Sequence, residues 1–66
     1  MESSILGGRL LQALAEPYRE AVTMTKILGF TNREVASRLS ISERAVKVRV
    51  HRGLSRLQKM MELDTP

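Results

Sequence analysis

Sixty-six residues allow one domain of marginal size, since a chain this short buries only about 60% of the surface it exposes when unfolded. The absence of cysteine excludes disulfides and thiolate metal sites, no apolar run approaches the roughly 18 residues of a membrane span, and the start lacks the basic-then-apolar pattern of a secretion signal, all consistent with a cytoplasmic protein. Eleven Lys and Arg against seven Asp and Glu, with a pI near 10.4, favour a polyanionic partner.

The pattern along the chain is helical throughout. Leu6, Leu10 and Leu14 recur every four residues, with Leu11 and Ala13 beside them. They predict a first helix that starts anywhere from Ser4 to Arg9, with Ser3 or Ser4 as a possible cap. Gly7 and Gly8 weigh against its first turn, at roughly 1 kcal/mol each relative to Ala. Ala15–Glu16 breaks the pattern. Pro17 suits the first position of a second helix, where its missing N–H costs nothing. That helix should run to about Leu28, burying Tyr18, Ala21, Val22, Met24, Thr25 and Leu28. Gly29 fits the position after its end, with Phe30 folding back on the last turn.

A third helix is announced by a capping box. Thr31 can accept from the amide of Glu34, and the Glu34 side chain can reach back. Val35, Ala36 and Leu39 then share a face. The pattern stops at Ser40–Ile41, and Ser42 is a good cap for a fourth helix. Two helices joined by so short a turn must cross steeply, the geometry of a helix-turn-helix. Leu63 to Pro66 should fray. The expected fold is all-α: four helices in an orthogonal array without a sheet, three forming a platform and the fourth lying across it.

Laid out at about 100° per residue, the fourth helix puts Val46, Val50, Gly53, Leu57 and Met61 on one side, with Leu54 and Met60 at the edges. The opposite side carries Arg44, Val48, His51, Arg52, Ser55 and Lys59, flanked by Lys47. From Ile41 to Lys59 six Lys and Arg stand against one acid, Glu43. Nearly all of the chain's net charge of +4 therefore comes from one helix. Arg49 and Arg56 fall at the edge of the apolar stripe, where their stems can lie on the core or their heads pair with Glu residues.

The stretch GFTNREVASRLSISERAVKVRVHRGLSRL resembles the DNA-binding region 4 of bacterial sigma factors, most closely those of the extracytoplasmic-function type. The upstream EPYREAV is similar to the segment that precedes it, so the resemblance covers about Leu14 to Leu57. Ala36 and Val46 stand at the packing positions of the helix-turn-helix. Ala15 departs from the Pro that is common in the family. Ser40 replaces a frequent Gly, which makes a left-handed turn residue less comfortable. TNR followed by ISERAVK also resembles the LuxR-type output domain. Those domains usually carry a further helix after the recognition helix, whereas here the extra helix lies upstream.

The resemblance implies a promoter −35 recognition domain spanning residues 1–66, whose other face meets the flap of RNA polymerase and which an anti-sigma factor could cover. Region 2 of the family has no counterpart here, so a fragment and a small stand-alone relative both remain open. The residues themselves point to duplex DNA. The major groove admits one helix and displays a donor and acceptor code. Arg44, Lys47, His51 and Arg52 can reach base edges or phosphates, and Val48 can touch a thymine methyl. The amides of Ser42, Glu43 and Arg44 form a phosphate seat at the positive end of the helix dipole. Thr31 and Arg33 could grip the neighbouring backbone. The bland alternatives are a solvated basic face, or a protein-interaction module without DNA binding. His51 has no second His or Cys nearby to make it a ligand. No nucleophile–base pair, phosphate-cradling glycine loop or carboxylate cluster suggests an enzyme, and no cofactor is implied.

Overall fold

The computed structural model describes residues 9–64. The proposed caps at Ser3 and Ser4, and Leu6, Gly7 and Gly8, lie outside the described residues. Four α-helices follow one another: α1 (Arg9–Gln12), α2 (Glu16–Val22), α3 (Asn32–Leu39) and α4 (Glu43–Asp64). A π-helical turn, Thr23–Ile27, prolongs α2. Among the described residues there is no strand. The 22 residues of α4 make a rod of about 33 Å. It is the spine of the molecule, against which α1, α2 and α3 all pack.

α1 closes through tight turns, with Ala13 N–H donating to the Leu10 carbonyl and Leu14 N–H to that of Leu11. The Arg19 guanidinium donates to the Gln12 carbonyl at 3.1 Å, which satisfies one of the acceptors a helix end leaves open. α2 starts one residue earlier than Pro17 itself. Ala15 precedes it in an extended conformation and offers no side-chain cap. The start is held instead by Pro17 in the first turn, by Glu16 at the positive end of the dipole, and by the Ala15 carbonyl accepting from Tyr18 and Arg19.

The end of α2 departs from the expected regular helix. The Leu28 amide donates to Thr23, five residues back, and Thr25 Oγ1 donates to the carbonyl of Ala21 at 2.8 Å. A threonine bonding back to position i−4 competes with the backbone ladder, and the π turn inserts about one residue relative to α geometry. Later residues therefore rotate away from the face they would occupy at constant pitch. Met24 still packs inward, but Leu28 is 60% exposed and Ile27 45%. The expectation that Leu28 is buried fails for this reason. Gly29 takes a φ of 82°, and Phe30 N–H donates to the Met24 carbonyl, which folds the Phe30 ring back as expected.

The core has two centres. Leu11, Leu14, Val22 and Leu57 join α1 and α2 to the distal half of α4, with Leu10, Tyr18, Leu54 and Met60 around them. Val35, Ala36 and Val46 join α3 to the start of α4, with Met24, Phe30, Leu39, Ile41 and Val50 around them. Between the centres, Gly53 lets the backbones of α2 and α4 approach. A Cβ there would stand 2.7 Å from Val22 Cγ2 and 3.4 Å from Tyr18 Cβ. At the far end, α4 continues to Asp64, so the backbone of Leu63 is helical rather than frayed. Thr65 and Pro66 lie outside the described residues.

Candidate nucleic-acid interface

The helix-turn-helix is set by three local devices. In the first, Glu34 N–H donates to Thr31 Oγ1 at 3.1 Å and Thr31 N–H donates to Glu34 Oε1 at 2.8 Å, completing the capping box. In the second, Ser40 closes α3 in the left-handed region, φ 59° and ψ 43°, while the amides of Ser40 and Ile41 both donate to the Ala36 carbonyl. The left-handed turn is thus made, with serine in place of the easier glycine. In the third, Ala45 N–H donates to Ser42 Oγ at 3.0 Å and Val46 N–H to the Ser42 carbonyl, which starts α4 after only three connecting residues. As at the start of any helix, the amides of Glu43 and Arg44 have no intrahelical carbonyl to reach.

These devices fix the rotation of α4. Val46 is fully buried against Val35 and Ala36, and Val48, about 200° around the axis, is 42% exposed. Arg44, Lys47, His51 and Arg52 are all exposed, as are Ser42 and Glu43 at the helix start. Thr31 and Arg33 are exposed at the start of α3. All nine residues expected to meet DNA therefore lie at the surface. The hydroxyls of Thr31 and Ser42 already accept local amides, which leaves each an O–H to donate.

The structure also adds a feature that the helical wheel does not display. An open groove of about 480 Å³ runs between the start of α2 and the first three turns of α4. Pro17 and Tyr18 form one wall. Ser42, Arg44, Ala45, Val48, Arg49 and Arg52 form the other. Arg44, Val48 and Arg52 thus belong both to the exposed face and to the groove, whereas Lys47, His51, Thr31 and Arg33 do not line it. Arg49 is half-buried and lines this groove as well. Arg56 meets an aromatic ring: its guanidinium lies 4.7 Å from the centroid of Tyr18. Arg38 of α3 lies 4.3 Å above Phe30 in the same manner. Pro17 and Tyr18 carry no sequence signal for such a role, because the groove exists only once α2 is docked beside α4.

Two helices crossing at a three-residue turn, the second with one side sunk in the core and the other presenting four basic side chains around a valine, define a helix-turn-helix domain. The family described as Sigma-70, region 4, matches residues 8–57, and the chain belongs to that family. Among curated proteins it is 33% identical over 61 residues to RNA polymerase sigma factor SigZ of Bacillus subtilis (strain 168), a match covering 92% of this chain and 35% of the relative. It is 35% identical over 51 residues to RNA polymerase sigma factor CarQ of Myxococcus xanthus, covering 77% of this chain and 29% of that protein. The chain thus spans about a third of the length of the curated relatives it matches. No solved structure matches it closely enough to add to these comparisons. No described helix is long and apolar enough to cross a membrane.

Proposed function

We propose that the domain binds duplex DNA at the promoter −35 element, with α4 in the major groove, as the region 4 part of an extracytoplasmic-function type sigma factor that directs RNA polymerase in transcription initiation. The observation that carries this reading is the single exposed face of α4 formed by Arg44, Lys47, Val48, His51 and Arg52, held outward by the burial of Val46. Membership of the region 4 family and similarity to the sigma factors SigZ and CarQ support it. In this reading Lys47, Val48, His51 and Arg52 meet base edges, and Arg44 and the amides of Ser42, Glu43 and Arg44 meet phosphate. Thr31 and Arg33 hold the neighbouring backbone from the start of α3. The finer partners follow from the same reading: the flap of RNA polymerase on a face away from DNA, an anti-sigma factor able to cover either surface, and a cytoplasmic setting.

Two measurements test it. If α4 and its surroundings neutralise about four to six phosphates, log K should fall with log salt at a slope of roughly −4 to −5. A flat titration would leave the domain as a protein-interaction module. At one fixed salt, Lys47→Ala or Arg52→Ala should lose roughly 1–3 kcal/mol on the preferred promoter duplex and less on a scrambled one. Arg33→Ala should weaken both about equally, because phosphate contacts position without specifying. A change of sequence preference in Arg33→Ala alone would put α3, not α4, in the groove.

A further inference from the structure

The groove beside α4 lies on one particular flank of the helix. Taking the buried Val46 as the reference direction, Lys47 stands about 100° to one side of it, while Arg49 stands about 60° and Arg52 about 120° to the other. α3 packs near the Lys47 side, through Val46 and Val50, and the start of α2 packs on the Arg49 side. A helix about 10–12 Å across fills a major groove about 12 Å wide, so both of its flanks face a sugar-phosphate backbone. On the α3 side that backbone would meet Thr31 and Arg33 at the α3 start. On the α2 side it would meet the groove.

The walls of the groove suit a phosphodiester. Three arginines line it, Arg44, Arg49 and Arg52, and no acidic residue does. Glu16, adjacent to Pro17 in the chain, is not part of the lining. Guanidinium forks match phosphate oxygens two at a time. Arg49 differs from its two neighbours in being half-buried, which restricts its stem before any ligand arrives. The opposite wall is firm, since Pro17 is ring-constrained and Tyr18 is packed in the core and stacked by Arg56. The hydroxyl of Ser42 at the groove's end accepts from Ala45 N–H and keeps one O–H to donate. With three arginines beside that one hydroxyl, the seat is chiefly an arginine one.

We propose that Arg49, between Arg44 and Arg52 and against the Pro17–Tyr18 wall, seats a backbone phosphate of duplex DNA on the flank of α4 opposite Lys47. This rests on the duplex-binding reading above, and assigns to α2 and Arg49 a part in holding DNA that the exposed face of α4 does not reveal. The seat positions the helix and reads no base.

The test uses a labelled duplex of the preferred sequence and a scrambled duplex, each titrated from 50 to 200 mM salt. Arg49→Gln should weaken both duplexes by the same factor, and lower the steepness of the salt slope by about one. One phosphate contact fewer makes its deficit shrink about 3.5-fold across that salt range. Arg49→Lys should keep the wild-type slope, and so should Lys26→Gln, which removes one charge from the π turn that prolongs α2. An unchanged slope for Arg49→Gln beside a steep wild-type slope would overturn the seat and leave the DNA reading standing. A changed sequence preference would overturn it by making Arg49 a base reader. A flat wild-type titration would overturn both. Independently of any variant's folding, the wild-type domain can be titrated against duplexes carrying one neutral methylphosphonate at successive positions. Loss of affinity is expected in two clusters, one on each strand across the major groove. A single cluster on one strand would overturn the proposal.

Discussion

The helix-turn-helix from Thr31 to Arg52 and the helical layer from Arg9 to Leu28 that supports it are held by different means. The first is specified locally. A capping box, a left-handed serine and a serine cap lie within twelve residues, and each satisfies helix-end groups through partners no more than five positions away. The second has little of this. Among the described residues α2 begins without a side-chain cap, and the segment leaves α geometry at Thr23. Its order comes from long-range packing of Leu11, Leu14 and Val22 on Leu57, and from the gap left by Gly53. Isolated helices this short are marginal in water, so the layer depends on α4. Local specification gives α4 a fixed rotation, and the supporting layer gives it something to be rotated against.

The comparison can be broken most severely at Val46, where local and long-range order meet. Its side chain is fully enclosed, and Val46→Asp would bury an unpaired carboxylate. The expected cost is on the order of 3–5 kcal/mol, comparable to the whole stability of a domain this small. Val48→Asp, two residues on but 42% exposed, should leave the melt nearly unchanged while repelling phosphate and weakening DNA binding. Circular dichroism melts of both variants check this. Equal loss of helicity would mean that the rotation of α4 is not the one seen here.

The same division explains what could be read from sequence. Both helix starts of the helix-turn-helix were legible, because caps are short-range patterns of side chain and amide. The buried stripe of α4 was legible because 22 residues at one pitch give a strong period. Leu28 was not: a constant-pitch wheel cannot register the extra residue of the π turn, and Thr25, which bonds back to Ala21 within it, resembles an ordinary helical threonine in sequence. The groove was not legible either. It needs Pro17 and Tyr18 brought beside Arg49 and Arg52, more than thirty residues away, and no local pattern encodes that approach. Gly53 falls on the buried side of the helical wheel, but the reason for a glycine there, the close approach of Val22, belongs to the tertiary fold.

Gly53 gives the next largest effect and tests the supporting layer alone. Gly53→Ala gains about 1 kcal/mol of helix propensity. It also forces a methyl to within 2.7 Å of Val22 Cγ2, an overpacking that costs about 1–3 kcal/mol. The net expectation is a loss of about 1 kcal/mol in the wild-type background. With Val22→Ala in place the clash is gone, and the Tyr18 contacts at 3.4 Å are ordinary ones. The same Gly53→Ala change should then be stabilising. Denaturant melts of the four proteins in this cycle measure the coupling. The same sign in both backgrounds would show that α2 and α4 do not approach at this point.

The smallest effects compare the two left-handed helix ends, one in each region. Gly29, φ 82°, ends the supporting layer, and Ser40, φ 59°, ends α3. No atom lies within 4 Å of where a Cβ on Gly29 would stand, so Gly29→Ala has space and suffers only from backbone strain. A loss of about 1 kcal/mol is expected, a fall in Tm of about 4–8 °C. Ser40→Gly runs the other way. It removes a left-handed penalty of about 1–2 kcal/mol and adds about 0.5–1 kcal/mol of unfolded-state entropy. The difference is a gain of about 0.5 kcal/mol, or roughly 2–4 °C in Tm. Because Ser40 is exposed and its amide, not its side chain, makes the bond to Ala36, no contact is lost in the exchange. A fall in Tm for Ser40→Gly would mean that the serine side chain holds the turn, and that the helix-turn-helix has a fourth local device beyond the caps and the left-handed residue.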